Sequence, residues 1–243
     1  MSSSAGVGDC LLLDFSKGFF AVADGSDRNP SASREFIGMF AKMLADNKAL
    51  SADGVYLDSE ITALKDQFIS DAEQLLVTFS FRDSCTFTGI LLLRTTESIS
   101  AVILHTGDSL LISCNLRTRD AFQFTKNNFW MVGRSQHYFQ TGELPVNPDT
   151  RLLLATDGIG EIPIPAGMNR ENHLLGLFAT ERIEEIPDHL LDSGESAGST
   201  RDDIAIIAMD PFSMPVQSES FILGGTSDLE ERAFQNNVSE TVK

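Results

Sequence analysis

The sequence predicts an α+β fold in which a central antiparallel β-sandwich carries helices on its outer faces. Two observations support this prediction. Strands and helices occur in separate blocks along the chain, and the strands within a block are joined by separators short enough for hairpins. A doubly wound fold would instead alternate single strands with helices. The chain of 243 residues can bury a sizeable core.

A change in composition beyond Pro211 predicts a domain boundary. Residues 1–210 contain the periodic apolar segments and form the predicted domain. Residues 211–243 are rich in Ser, Gln, Asn and Glu, and contain only a short apolar patch at 221–223. We therefore expect this polar C-terminal tail to be partly docked or disordered.

The formal net charge of −17 limits the classes of partner. Nucleic acids and anionic membranes are bound through clustered Lys and Arg, so we expect neither as a partner. No apolar run approaches the roughly 20 residues that span a bilayer, and the N-terminus lacks a signal-peptide pattern. The three scattered cysteines lie in or beside apolar strands, which indicates reduced core thiols. These features predict a cytoplasmic protein, and a monomer is the default expectation.

The chain begins with a predicted hairpin, whose strands 10–15 and 19–23 flank a Ser-Lys-Gly turn. Pro30 opens the first predicted helix, with Asn29 as its N-cap. Apolar side chains recur there every three or four residues, which predicts one buried face. A second amphipathic helix is predicted over 59–79. The buried face of the first helix comprises Phe36, Ile37, Phe40, Met43 and Leu44.

The middle of the chain changes to β-rich runs that suit an antiparallel meander. Residues 126–150 lack periodicity, and we expect an irregular surface excursion there. One or two amphipathic helices over 170–191 are followed by a flexible Ser/Gly segment at 193–200. The predicted strands of this part are 86–93, 98–105, 109–114, 121–124, 151–155 and 204–209.

Carboxylates stand at the ends of three strongly apolar runs. Asp24 and Asp157 each end such a run and precede a glycine, whereas Asp202 and Asp203 directly precede the last run. If the three strand ends meet, these oxygen ligands suit a hard divalent cation such as Mg²⁺ or Mn²⁺. A following glycine lets a backbone carbonyl approach the ion closely. An ordinary Asp-Gly turn at each strand end is the alternative.

Short segments around these carboxylates follow one another in the order Ala21-Val22-Ala23-Asp24-Gly25, His105-Thr106-Gly107-Asp108-Ser109, Leu153-Leu154-Ala155-Thr156-Asp157-Gly158 and Asp202-Asp203-Ile204. In this order the chain resembles the metal-dependent protein phosphatases of the protein phosphatase 2C type, including their bacterial stage II sporulation E-like relatives. Gly8-Asp9-Cys10 is a weaker further match, and Ser84-Cys85-Thr86 resembles the family's Gly-Ser-Thr at the start of the meander. The resemblance covers residues 8–209.

The resemblance implies a four-layer αββα fold and a phosphorylated protein as substrate. The implied reaction is hydrolysis of phosphoserine or phosphothreonine by a metal-activated water, without a phosphoenzyme intermediate. Asp24 would bridge two Mg²⁺ or Mn²⁺ ions, and Asp108 matches the position at which bacterial members bind a third ion. The implied catalytic carboxylates are Asp24, Asp157 and Asp202. The implied metal ligands are Asp9 (through water), Asp24, Gly25 (through its carbonyl), Asp108, Asp157 and Asp202.

Several substrate-binding positions depart from the family's pattern. Ser4 stands where the family usually has a phosphate-binding Arg, and Ser26 stands where it usually has His or Met. Leu110 replaces the Arg that normally follows Gly-Asp-Ser. Arg28 or Arg134 could supply a replacement guanidinium, because Arg binds phosphate through paired donors. The alternative is that both are solvated loop residues.

Three functions stay open from the sequence. The first is a working Mg²⁺- or Mn²⁺-dependent serine/threonine protein phosphatase. The second is a regulatory or binding module that keeps the fold with little or no catalysis, which the missing Arg and the altered loop would favour. The third is a metal-dependent hydrolase of another phosphoester, such as a nucleotide adduct on a protein.

Overall fold

The computed structural model describes residues 7–79, 83–134, 138–198, 202–214 and 217–227. These residues form ten strands, four α-helices and three short 3₁₀ helices. The strands are β1 (Val7–Asp14), β2 (Phe19–Ala23), β3 (Phe87–Arg94), β4 (Ile99–Thr106), β5 (Leu110–Asn115), β6 (Asp120–Gln123), β7 (Gln140–Val146), β8 (Thr150–Ala155), β9 (Ile206–Met209) and β10 (Ser220–Thr226). The helices are α1 (Pro30–Asp46), α2 (Asp58–Thr78), α3 (Arg170–Thr180) and α4 (Ile186–Ala197).

The strands form two antiparallel sheets that pack face to face. The larger sheet has the order β10-β1-β2-β3-β4-β7, and the smaller has the order β6-β5-β8-β9. Helices α1 and α2 cover the outer face of the larger sheet, and α3 and α4 cover that of the smaller sheet. The predicted α+β fold with its αββα layers is therefore confirmed.

Apolar side chains fill all three spaces between these layers. Phenylalanines dominate the space under α1 and α2, where the rings of Phe19 and Phe40 stack with centroids 4.8 Å apart. The space between the sheets is mainly aliphatic. Because both faces of a central strand are covered, β2 is buried at every position. This explains why its sequence is a continuous apolar run rather than an alternating one.

The start of α1 matches the prediction in detail. The side-chain oxygen of Asn29 accepts a hydrogen bond from the backbone N–H of Ser31 at 3.0 Å, and Pro30 occupies the first turn. The Asn29 amide also donates to Asp83 at 2.9 Å. This cap fixes where the chain leaves the loop after β2 and enters the helix.

Replacement of Asn29 by Ala is expected to lower the free energy of unfolding by about 1 kcal/mol, because a helix N–H loses its acceptor. Urea denaturation measures the change. Ser31→Ala is the matched control, since Ser31 is an exposed first-turn residue and its backbone N–H stays in place. Equal stabilities of the two variants would contradict the capping role.

Two predictions of irregular structure are wrong. Residues 126–150 contain β7, which pairs with β4 at the edge of the larger sheet. Only Leu144 and Val146 of this strand are buried, so its sequence lacks the repeated apolar residues that would have predicted a strand. Residues 193–197 belong to α4 rather than to a flexible segment, because Leu190 and Gly194 pack inward and extend the helix. Residues 199 and 200 lie outside the described part.

Part of the predicted C-terminal tail forms a strand. Strand β10 pairs antiparallel with β1, with Leu223 opposite Leu11. Its apolar residues Phe221, Ile222 and Leu223 stay about half exposed at this sheet edge. The division of the chain at residue 210 stays a prediction, and residues 228–243 lie outside the described part.

The strand registers bring distant parts of the chain to one edge of the sandwich. In the larger sheet Val22 pairs with Thr88, and Thr88 pairs with His105, so β2 and β4 end together. In the smaller sheet Ala155 at the end of β8 pairs with Leu110 and with Ile206, at the starts of β5 and β9. The segments that hold the predicted carboxylates follow or precede these ends.

The three cysteines are buried, free thiols, in agreement with the sequence analysis. Burial raises the pKa of the Cys10 thiol to about 12, which keeps it protonated and unreactive. Among the described helices, none has both the length and the apolar content required to cross a membrane.

Candidate metal centre

Three carboxylates from different strand ends converge at this edge. One carboxylate oxygen from each of Asp24, Asp108 and Asp157 lies within 4.8 Å of the other two. Asp24 and Asp108 are partly buried, whereas Asp157 is exposed to solvent. The structure thus brings together residues that the sequence separates widely. Their roles as metal ligands stay predictions.

Asp9 lies beside this group and is held by a threonine. Asp9 is 3 % exposed, and its carboxylate accepts a 2.5 Å hydrogen bond from the Thr156 hydroxyl and shares a hydrogen bond with Asp24. The Thr156 oxygen also accepts from the backbone N–H of Ala205 at 2.9 Å. Thr156 therefore ties β1 to the segment before β9. The sequence analysis gave it no role, although its place directly before Asp157 was the available signal.

Burial and mutual repulsion oppose ionisation of these carboxyls. Burial raises the pKa of Asp24, and the charges of Asp9, Asp157 and Asp202 raise it further. Burial is also the main cause of the raised pKa of Asp9 and of Asp157. A group of this kind needs either shared protons or a cation to offset its charge.

Asp202 lies at the rim of the site rather than within the group of three. It is exposed, although its negative charge raises the pKa of both Asp24 and Asp157. Its neighbour Asp203 is the more buried carboxylate. The Asp203 side chain accepts a 2.7 Å hydrogen bond from the Gly8 N–H and pairs with the Arg28 guanidinium.

Two glycines at the site are required by close backbone approach. A Cβ on Gly25 would stand 2.0 Å from the carbonyl oxygen of Asn29, and one on Gly158 would stand 2.1 Å from that of Asp203. The Gly25 carbonyl accepts a hydrogen bond from the Arg28 N–H at 3.1 Å. A steric reason therefore explains both glycines, and the predicted role of the Gly25 carbonyl as a ligand stays a prediction.

Gly158→Ala is expected to displace the chain at Asp203 and to lower the free energy of unfolding by about 1–3 kcal/mol, because the added methyl overlaps a carbonyl oxygen. Gly160→Ala is the control, since its nearest neighbour would be a side-chain nitrogen 3.9 Å away. Chemical denaturation of both variants checks the expectation. Similar midpoints for the two would show that the strand segments do not meet as closely as described.

Ser26 and Arg28, two of the residues considered above for substrate binding, are engaged by contacts within the protein. The Ser26 hydroxyl lies 2.8 Å from that of Ser84, and Arg28 is paired with Asp203. Arg134 is an exposed loop residue. Ser4, at the position of the usual phosphate-binding Arg, lies outside the described residues.

His105 is a buried residue with two hydrogen-bond contacts inside the protein. It is 1 % exposed, and its ring nitrogens lie 2.8 Å from the Thr88 hydroxyl and 2.9 Å from the Lys126 carbonyl. The contact with a carbonyl requires an N–H on Nε2, so Nδ1 accepts from Thr88. Burial lowers the pKa of the ring, which keeps it neutral.

The family model of Stage II sporulation protein E (SpoIIE) matches residues 19–211 of the chain. This range contains the converging carboxylates Asp24, Asp108 and Asp157 together with Asp202. No curated protein sequence matches the chain significantly.

Solved bacterial phosphatases share the fold. A bacterial serine phosphatase is 15 % identical with a TM-score of 0.64, covering 88 % of this chain and 93 % of that one. The catalytic domain of the serine/threonine protein phosphatase PstP, solved with two manganese ions, is 15 % identical with a TM-score of 0.60, covering 91 % and 94 %. Stp1, a serine/threonine phosphatase from Staphylococcus aureus, gives the same identity and TM-score over 85 % and 92 %.

Proposed function

Because the chain belongs to the Stage II sporulation protein E (SpoIIE) family, we propose that it is a metal-dependent phosphatase that hydrolyses phosphoserine or phosphothreonine on a protein. The observation that carries the proposal is the convergence of the Asp24, Asp108 and Asp157 carboxylates at one edge of the sandwich. The manganese ions of PstP, which has the same fold, support a divalent cation at this edge.

The donor set fits Mg²⁺ or Mn²⁺. All three converging side chains offer carboxylate oxygens, which hard divalent cations prefer. Burial and mutual repulsion raise the pKa of Asp24, so a cation would relieve a charge that the protein itself leaves uncompensated. The nearby guanidinium of Arg28 is already paired with Asp203.

The carboxylates at this edge have different proposed roles. Asp24, Asp108 and Asp157 would hold cations, with Asp202 as a further ligand at the rim. Asp9, which Thr156 fixes, would accept the hydrogen bond that it shares with Asp24, because the raised pKa of Asp24 keeps the shared proton on Asp24. When bound, such cations lower the pKa of a water molecule and offset the charge of a phosphoryl group.

Hydrolysis of a phosphoserine peptide and of p-nitrophenyl phosphate by the purified protein tests the proposal. We expect turnover with Mn²⁺ or Mg²⁺ and none in EDTA. Cation binding without turnover on any phosphomonoester would contradict it. Release of a nucleotide from a nucleotide-modified protein, with no release of phosphate from phosphopeptides, would indicate a different phosphoester substrate.

A regulatory or binding module that keeps the fold with little or no turnover is the second candidate. The engaged Ser26 hydroxyl and the pairing of Arg28 with Asp203 favour it, since neither group is directed to a substrate phosphate. Saturable Mn²⁺ binding without release of phosphate from any phosphomonoester would support this candidate over the first.

A further inference from the structure

An ion pair between Arg28 and Asp203 lies beside the candidate metal centre. The Asp203 side chain is only 8 % exposed, and its other oxygen accepts the hydrogen bond from the Gly8 N–H. The pair is half-buried, since the Arg28 side chain is 39 % exposed, and the two contacts together satisfy the buried carboxylate of Asp203.

The pair joins three segments that each carry a candidate metal ligand. Arg28 belongs to the loop that follows Asp24, Gly8 directly precedes Asp9, and Asp203 directly follows Asp202. The backbones are also in contact, since a Cβ on Gly8 would stand 2.7 Å from the Cα of Arg28. A movement of Arg28 would therefore act on all three segments.

The loop that presents Arg28 has an unfavourable backbone conformation. Asp27 and Arg28 have φ angles of 57° and 58°, in the left-handed region that non-glycine residues rarely adopt. Such conformations persist where surrounding contacts hold them. The guanidinium is turned inward to Asp203, even though its Nε stays buried without a hydrogen-bond partner. The ion pair is one of the contacts that hold this loop, together with the hydrogen bond from the Arg28 N–H to the Gly25 carbonyl.

Charge gives the pair a second effect on the site. The negative charge of Asp203 lies next to the segment of Asp9, because the Asp203 carboxylate accepts the hydrogen bond from the Gly8 N–H. Loss of Arg28 would leave Asp203 as one more uncompensated anion near the carboxylates. The ion pair therefore has no net charge.

We propose that Arg28 is a positioning residue, which neutralises and fixes Asp203 and so holds the segments of Asp9, Asp24 and Asp202 in the arrangement that binds a divalent cation. This inference rests on the proposed metal site and assigns Arg28 no contact with the substrate.

The test compares Arg28→Met, Asp203→Asn and the double variant, with Arg119→Met as the matched control, because Arg119 is exposed and has the same φ angle of 58°. Mn²⁺ affinity by calorimetry is the primary readout, followed by thermal unfolding in EDTA and by kcat and KM for a phosphopeptide.

Arg28→Met is expected to weaken Mn²⁺ binding about tenfold, the usual effect of losing a residue that orients ligands. Adding Asp203→Asn should restore binding to within about threefold, because the amide oxygen still accepts from Gly8 without a charge. Arg119→Met should bind Mn²⁺ with the affinity of the parent protein.

The possible outcomes separate this inference from the proposed function. A parent protein that binds Mn²⁺ but hydrolyses no phosphomonoester would contradict the proposed function. The Mn²⁺ affinities and unfolding temperatures of the variants would still test the role of Arg28. Equal losses of affinity in Arg28→Met and in the double variant would overturn the inference. A raised KM with unchanged Mn²⁺ affinity would also overturn it, and would make Arg28 a substrate-binding residue instead.

Discussion

Asp24→Asn is expected to lower Mn²⁺-dependent hydrolysis of a phosphopeptide by at least about a hundredfold. Asp24 is the carboxylate that both contacts Asp9 and converges with Asp108 and Asp157, so its removal affects every arrangement of cations at this edge. Asn has almost the same shape, and the variant should therefore fold. Steady-state kinetics with Mn²⁺, together with calorimetric titration of the metal, measure the effect.

Asp27→Asn is the control for this prediction. Asp27 lies in the next turn of the same loop, is exposed, and has a left-handed φ angle that Asn tolerates well. Activity and metal affinity should be close to those of the parent protein. A similar loss of activity in both variants would show that a change of the loop, rather than loss of the Asp24 carboxylate, causes the effect. Full activity of Asp24→Asn would exclude the carboxylate cluster as the metal centre.

The stability of the metal-free protein is expected to fall as the pH rises. Asp9 and Asp24 have pKa values raised from an ordinary value of 3.8 to about 7 and about 9. The folded protein therefore binds protons that the unfolded chain has already released, and their stabilising contribution is complete at acidic pH. It is lost progressively between about pH 4 and about pH 9. Divalent cations should reverse this loss, because they offset the same charges.

Urea denaturation in EDTA at about pH 5 and about pH 9 tests this linkage. The drop in stability should be smaller in Asp24→Asn, which cannot ionise at this position. Added Mn²⁺ should stabilise the parent protein more at the higher pH, since protons compete for the same oxygens. A stability that increases over this range in EDTA would mean that the carboxyls are ionised without a cation.

The sequence was informative where one short pattern determines both a strand and its end. An apolar run that stops at Asp24 or Asp157 predicts a buried strand with a carboxylate at its end, and both strands are present. The N-cap at Asn29 is equally local. Strand β7 was missed because an edge strand buries few side chains, and the end of α4 was missed because packing at Gly194 overrides the Ser and Gly composition.

The finer parts of the site depend on contacts between distant residues. Arg28 and Asp203 are separated by 175 positions, and Thr156 and Asp9 by 147, so no local pattern connects them. The sequence analysis predicted a metal-ligand role for Asp202 and none for Asp203, although the Asp203 side chain is buried in the structure and Asp202 is exposed. Which member of such a pair points inward is decided by the register of the following strand.

The docking of β10 makes the candidate site part of a larger cooperative unit. Pairing with β10 turns β1, the strand of Asp9, from an edge strand into an interior one. Gly224 lies so close that a Cβ there would stand 2.3 Å from the Asp9 carbonyl oxygen. Local unfolding of the C-terminal strand would therefore unpair the backbone that carries Asp9. Binding of a cation at the proposed site would therefore be thermodynamically linked to the opening of β10, and residues beyond the matched range 19–211 would contribute to its free energy.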